Sequence, residues 1–223
     1  MDENELFYGS YLETLHSAID SFIQRLALLG KVYSGENLRF PVEHYKVRIK
    51  SADSAKAKLE RLGLPVTTES AVNNLFDLAG VRLVCRFFNE VYEITRILQE
   101  AEGIEIQTIK DYVKNPKPNG YRSIHIILRV PVTTTEKACM QYVEVQIRTI
   151  AMDFWASLEH ELKYKKHVSD AELMYEELKT CADEIISVDL KMQTIYEWLN
   201  QCGDAYEIID EPPTKKLRPL KVD

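Results

Sequence analysis

The sequence predicts an α/β (α+β) chain: a mixed five-stranded sheet flanked by helices, ending in a long C-terminal helix. Three observations predict it. Five short segments, residues 44–50, 81–88, 104–109, 122–130 and 142–148, alternate apolar with polar residues or concentrate β-branched and aromatic ones. Helical periodicity fills several of the intervals between them, which places helices against a sheet. After Thr149, apolar residues recur at spacings of three and four to the end of the ordered pattern.

Taken in order, residues 9–29 carry Tyr11, Leu15, Ile19, Phe22, Ile23 and Leu26 on one face, which predicts a helix closed by Gly30. Residues 33–41 read as a loop. In the first strand Tyr45, Val47 and Ile49 share one face, and His44, Lys46, Arg48 and Lys50 the other, so its polar side is basic. Residues 51–62 read as a helix with its N-cap among Ser51, Asp53 and Ser54. Residues 90–102 form an amphipathic helix closed by Gly103. Two prolines and an Asn-Gly pair make 111–120 a loop, and 133–137 a polar turn. Met174, Leu178, Cys181, Ile185, Val188, Met192, Ile195 and Leu199 form a heptad-like seam. That seam fits either a helix packed on its own domain or one that pairs with another subunit. The prolines at 212, 213 and 219 predict a poorly ordered tail.

Composition bounds the function. The chain has 223 residues, 45% of them hydrophobic and 28% charged, enough for one real core in a soluble protein. A formal net charge of -7 disfavours broad nucleic-acid binding, which needs a basic surface. The acidic start lacks the basic and apolar regions of a signal peptide, and no apolar run reaches the roughly 20 residues a membrane span requires. Cys85, Cys139, Cys181 and Cys202 form no paired motif, so reduced thiols in a cytoplasmic protein are expected.

Four constellations could carry chemistry. Alternation puts Glu144, Gln146 and Arg148 on one face of an inner strand, either as a solvated sheet face or as a carboxylate that binds metal or acts as a base. Ser123 and His125 share a face beside the loop containing Lys114, Lys117, Asn119, Gly120 and Tyr121, whose cations suit phosphates and whose ring suits a purine. Lys46, Arg48 and Lys50, followed by Lys56 and Lys58, concentrate positive charge in an acidic chain, as a polyphosphate site would. Asp77 precedes a strand that presents Arg82, and with Glu144 it would offer magnesium two carboxylates. No phosphate loop of the G-x-x-x-x-G-K-[ST] or G-x-G-x-x-G type is present.

Together these residues resemble the synthetase domain of the RelA/SpoT-homologue family, and more narrowly a small alarmone synthetase of the RelQ type. The segments that carry the resemblance are Arg48, Ile49 and Lys50 with Lys56 and Lys58; Asp77 to Arg82; Lys114 to His125; Glu144 to Thr149; and Phe154 to His160. They run in family order. The resemblance implies a nucleotidyltransferase-like synthetase domain over 41–168, an N-terminal helical segment over 1–40, an oligomerisation helix over 169–205 and a flexible tail over 206–223. It implies transfer of the pyrophosphoryl group of ATP to the ribose 3′-hydroxyl of GTP or GDP, giving pppGpp or ppGpp, with Mg2+ as cofactor. In that scheme Glu144 is the general base and, with Asp77, a metal ligand; His125 joins them in the catalytic group. Arg48, Lys50, Lys56, Lys58 and Arg82 bind ATP. Tyr121 stacks on the acceptor guanine, and Lys114, Lys117, Asn119, Gln146, Arg148 and Asp153 line the GTP or GDP site.

The same resemblance implies a homotetramer and no hydrolase activity. One departure is Asp153, where relatives often carry Asn; its carboxylate can still accept from guanine N–H groups. The N-terminal helix offers only Arg25 and Lys31 towards an allosteric pppGpp site. Rival readings are a pyrophosphokinase acting on adenosine nucleotides or the tRNA 3′ end, or a non-catalytic regulator binding nucleotide or single-stranded RNA. Between GDP and GTP the residues do not choose.

Overall fold

The computed structural model describes residues 2–36, 38–133, 138–164 and 171–201. Twelve elements follow in order. They are α1 (Glu3–Tyr8), α2 (Tyr11–Gly35), β1 (His44–Ile49), α3 (Ala52–Arg61), α4 (Thr68–Asn74) and β2 (Ala79–Cys85). Then come α5 (Phe88–Glu100), β3 (Glu105–Asp111), β4 (Ile124–Thr133), β5 (Ala138–Thr149), α6 (Ile150–Tyr164) and α7 (Ala171–Gln201).

The five strands form one sheet in the order β1-β2-β5-β4-β3, with β2 and β5 parallel and the other pairs antiparallel. The expected mixed five-stranded sheet is therefore present. Burial of apolar surface drives the arrangement. Leu15, Ala18, Ile19, Phe22 and Leu26 on α2, and Val91, Ile94 and Leu98 on α5, pack on Val81, Leu83, Ile126, Leu128, Val143, Val145 and Ile147 of the sheet. The N-terminal segment is thus part of the sheet's own core. The opposite face stays polar, and α6 closes over the end of β5 there.

Several boundaries differ from the pattern in the sequence. Helix α2 passes through Gly30 and ends at Gly35, because Tyr33 packs edge-on against Phe40 at 5.6 Å and sustains another turn. The short helices α1 and α4 have too few residues for a periodic signal; α4 is started by Thr67, whose side chain accepts from the Ser70 N–H. Ser51 caps α3 in the same way through Ser54. Strands β4 and β5 run on to pair Thr133 with Ala138; residues 134–137 of the expected polar turn and the tail beyond 201 lie outside the described residues.

The seam on α7 divides. Its first half packs on its own domain, with Leu178 and Ala182 buried against Trp155, whose indole N–H donates to the Leu178 carbonyl at 2.9 Å. Its second half, Val188, Met192, Ile195 and Leu199, is exposed.

Candidate active site

Strand register assembles the polar face. One row crosses β1, β2, β5 and β4 as Lys46, Arg82, Gln146 and His125; the next contains Arg48, Gly80 and Glu144. Neighbours in such a row are close enough for side chains to touch. Gly80 is what lets Arg48 lie across the sheet: a Cβ there would sit 3.2 Å from Arg48 Cγ and 3.3 Å from its Nε. Arg48 then reaches Glu144, Nη2 to Oε2 at 3.6 Å.

Asp77 stands in the turn before β2. Its Oδ2 accepts from Lys50 Nζ at 3.0 Å and Lys58 Nζ at 2.8 Å, the first from the end of β1 and the second from α3. Burial would raise the Asp77 carboxyl, but the two ammonium groups outweigh it and hold it below its ordinary 3.8. Its Oδ1 is buried and has no hydrogen-bond partner among the described residues. An orphaned carboxylate oxygen, near enough to Glu144 for the two charges to repel, suits a hard cation such as magnesium. Helix α1 supports this corner: the buried Tyr8 hydroxyl donates to the Lys50 carbonyl at 2.7 Å, and Asn4 accepts from the Ala52 N–H at 2.8 Å. Lys56 is not brought to Asp77; it pairs with Asp53 at 3.7 Å and lies over the Phe7 ring.

Glu144 is largely enclosed. His125 Nδ1 is 3.4 Å from its Oε1, and Gln146 Nε2 donates to its Oε2 at 2.9 Å. Burial pushes the Glu144 carboxyl up and Asp77 adds to that, but the hydrogen bond from His125, its charge when protonated, and the Gln146 bond bring the net direction below the ordinary 4.5. Arg148, 3% exposed, donates to Gln146 Oε1 at 3.0 Å and to the Tyr121 hydroxyl at 2.7 Å. The Tyr121 hydroxyl lies 2.7 Å from His125 Nε2. Arg148, Tyr121, His125, Glu144 and Gln146 thus close a ring of contacts.

Asp153, on the first turn of α6, gathers three cations. Its Oδ1 accepts from Arg82 at 2.9 Å and Arg148 at 3.1 Å, and its Oδ2 from Lys46 at 3.3 Å. Burial opposes ionisation there, yet these charges hold the carboxyl below its usual range. On the loop before β4, Lys117 Nζ is 4.7 Å from the Tyr121 ring centroid and 4.9 Å from that of Tyr112. Asn119 donates to Glu159 at 2.9 Å, and its own carbonyl accepts from the Tyr121 N–H. Lys114 is exposed at the loop's edge. Gly120, at φ +86, lets the loop press on α7; a Cβ would stand 2.5 Å from that of Ala182.

Two cavities meet on this face. One of about 220 Å³ is lined by Lys46, Arg48, Gly80, Arg82, Glu144 and Gln146. The other, about 430 Å³, is lined by Tyr121, Arg148, Glu159 and His160 and shares Arg48, Arg82 and Gln146 as a common wall. Of the residues singled out from sequence, Lys46, Arg48, Arg82, Tyr121, Glu144, Gln146 and Arg148 stand on these walls, and Lys117, Asn119, His125 and Asp153 touch a residue that does. Asp77, Lys50 and Lys58 form their own cluster at the end of β1, and Lys56 and Lys114 lie apart. Sequence reasoning missed Gly80, whose signal was only a glycine in a strand, and the pairing of Lys46 with Asp153, 107 residues away, which has no local signal.

A family model described as a region found in RelA/SpoT proteins matches residues 47–169. The chain is 39% identical over 175 residues to the GTP pyrophosphokinase YwaC of Bacillus subtilis, covering 78% of this chain and 83% of that one. It is similar to the crystal structure of small alarmone synthetase 2 from Bacillus subtilis, with TM-score 0.74 and 38% identity over 84% of this chain and 96% of that one. It also resembles small alarmone synthetase 1 from the same organism bound to its product pppGpp, with TM-score 0.75 and 26% identity over 85% and 96% of the two chains.

Proposed function

The chain belongs to the RelA/SpoT family, and from that membership and the geometry of the polar face we propose that it is a GTP pyrophosphokinase, a small alarmone synthetase of the RelQ type. It transfers the pyrophosphoryl group of ATP to the ribose 3′-hydroxyl of GTP or GDP. The observation that carries this reading is the pair of cavities with a shared wall, one floored by Glu144 and rich in cations, the other bearing Tyr121. Donor and acceptor nucleotides placed in them would have their reacting groups meet at Glu144.

Arg48 and Arg82 flank the donor base, with Lys50 and Lys58 on its phosphates. Tyr121 stacks on the acceptor guanine, whose N–H groups face Asp153, while Lys117 and Asn119 border that side. Glu144 accepts the proton of the 3′-hydroxyl; the new bond forms between that oxygen and the β-phosphorus, the bond from the β-phosphorus to its oxygen bridge to the α-phosphate breaks, and AMP leaves with the electron pair. Asp77 and Glu144 would hold Mg2+, which supplies charge neutralisation on the polyphosphate. Lys50 and Lys58 serve the same end from the protein side. Lys56, turned to Asp53 and Phe7, and Lys114, exposed at the loop's edge, take no part in this reading.

Among the described residues no helix is long and apolar enough to cross a membrane. The reading is of a cytoplasmic enzyme. The exposed Val188, Met192, Ile195 and Leu199 on α7 support a homotetramer built through that helix.

The test is direct. Purified protein with ATP, GTP and Mg2+ should yield pppGpp and AMP, and Glu144→Gln should lower the rate by about 10²–10⁴ while leaving the fold intact. A Glu144→Gln protein of full activity would overturn the assignment of the base, and absence of pppGpp with the wild-type protein would overturn the reaction.

A further inference from the structure

The ring of contacts around Glu144 has a direction. A guanidinium can only donate. Arg148 is fixed by Asp153, so its Nη2 hydrogens are aimed at the Tyr121 oxygen at 2.7 Å and at Gln146 Oε1 at 3.0 Å. Because the Tyr121 oxygen receives that bond, its own hydrogen is left to donate, and His125 Nε2 stands 2.7 Å away. Nε2 therefore accepts, and the imidazole hydrogen sits on Nδ1, the nitrogen facing Glu144 Oε1 at 3.4 Å. With the hydrogen on Nε2 instead, that nitrogen would donate to the Tyr121 oxygen, which would then accept twice while its own hydrogen turned away from the ring of contacts. On the other arm, Arg148 fixes which end of the Gln146 amide faces it, so the Nε2 end donates to Glu144 Oε2 at 2.9 Å.

We propose that Arg148 is the origin of two one-way hydrogen-bond arms, through the Tyr121 hydroxyl and His125 and through Gln146, which converge on the two oxygens of Glu144 and fix its orientation towards the acceptor hydroxyl. This rests on the pyrophosphokinase reading and adds to it a positioning role for the Tyr121 hydroxyl separate from the stacking of its ring. Loss of the hydroxyl frees His125 to carry its hydrogen on Nε2, which turns a bare Nδ1 lone pair on the carboxylate. The two repel, and Glu144 is no longer held from that side. The ring face of Tyr121, by contrast, is unaltered in phenylalanine.

The test has two arms. In the full chain labelled with ¹⁵N-histidine, with the His125 signal assigned by its loss in His125→Gln, the wild-type protein should give Nδ1 as the protonated nitrogen and Nε2 as the bare one. Tyr121→Phe should move the hydrogen towards Nε2. In the synthesis assay Tyr121→Phe should keep the KM for GTP within about twofold while kcat falls by about tenfold to a hundredfold, the scale of a mispositioned base. Tyr121→Leu, which also removes the ring, should raise KM as well. A wild-type His125 with its hydrogen on Nε2, or a Tyr121→Phe protein with unchanged kcat, would sink the proposal. The first arm is read in the wild-type protein without any turnover, so absence of pppGpp would overturn the reaction and leave the tautomer to be judged separately.

Discussion

Replacing Gly80 by alanine separates catalysis from stability at one atom. The added Cβ would meet Arg48 Cγ at 3.2 Å and Nε at 3.3 Å, with the Arg48 carbonyl oxygen no closer than 3.7 Å. What must yield is a long, half-exposed side chain and not the strand. Gly80 lies in β2, paired with Arg48 and Glu144, in a backbone conformation that any residue adopts. Folding should therefore be unharmed, and reduced freedom of the unfolded chain should add about 0.4–1 kcal/mol. For a chain of this size that raises Tm by roughly 1–4 °C. Arg48, however, is lifted from its path over the sheet, and with it the guanidinium assigned to the adenine of ATP. A cation on an aromatic face contributes about 0.5–2 kcal/mol, so the KM for ATP should rise by about 2- to 30-fold at 1.4 kcal/mol per tenfold. The KM for GTP should move less, because Tyr121 and Asp153 are untouched. Initial rates over a grid of ATP and GTP concentrations, with thermal melts on the same preparations, read both effects. An unchanged KM for ATP alongside an unchanged or raised Tm would refute the role given to Arg48's path across Gly80.

Asp153→Ala should lower Tm by about 5–10 °C, from about 2–3 kcal/mol for stranding Arg148 and Arg82 without their carboxylate, and Asp153→Asn should cost less because its carbonyl still accepts; calorimetry compares them. Asp77, Glu144 and Asp153 all have folded values below their ordinary 3.8, 4.5 and 3.8. Their contribution to stability is complete above those ordinary values and is lost as pH falls through the depressed ones, so acid melts should show Tm dropping steeply only below about pH 4, and more shallowly in Asp77→Asn. Met192→Glu with Val188→Glu, both on the exposed half of α7, should reduce the mass measured by light scattering to that of a smaller assembly while the far-ultraviolet spectrum is kept.

What the sequence made legible was local. Alternation over 142–148 placed Glu144, Gln146 and Arg148 on one face because the period of a strand is two, whatever surrounds it. The five strands were legible for the same reason. The short helices α1 and α4 were not, since six and seven residues give no periodicity to read. Gly30 suggested a helix end, but Tyr33 found Phe40, and a tertiary contact outweighed a weak breaker. Lys56 and Lys58 looked equivalent in a run of cations. Two residues apart on a helix they point to different sides, so only Lys58 meets Asp77, and Lys56 turns to Asp53 and Phe7. The ring around Glu144 was illegible because it depends on β4 pairing β5 in the register that sets His125 beside Gln146.

Charge explains why these pairs are compatible with a working site. Six cationic side chains, Lys46, Arg48, Lys50, Lys58, Arg82 and Arg148, meet three carboxylates, Asp77, Glu144 and Asp153. Two of the carboxylates are shared, Asp77 by two lysines and Asp153 by three cations, while Glu144 meets Arg48. The polar face is therefore positive in a chain whose net charge is -7. Sharing keeps each cation in place without satisfying it, so an arriving polyphosphate completes the pairing instead of having to break it. The same sharing leaves the buried Asp77 Oδ1 without a hydrogen-bond partner among the described residues, where a cation would bind, and keeps Glu144 on a cavity wall, where a hydroxyl would approach. A locally positive floor in a chain of net charge -7 also favours small anionic nucleotides that fit within the cavities over long nucleic acids, which need a broad basic surface. That is a physical reason, independent of family membership, to prefer a free guanosine nucleotide to a tRNA end as the acceptor.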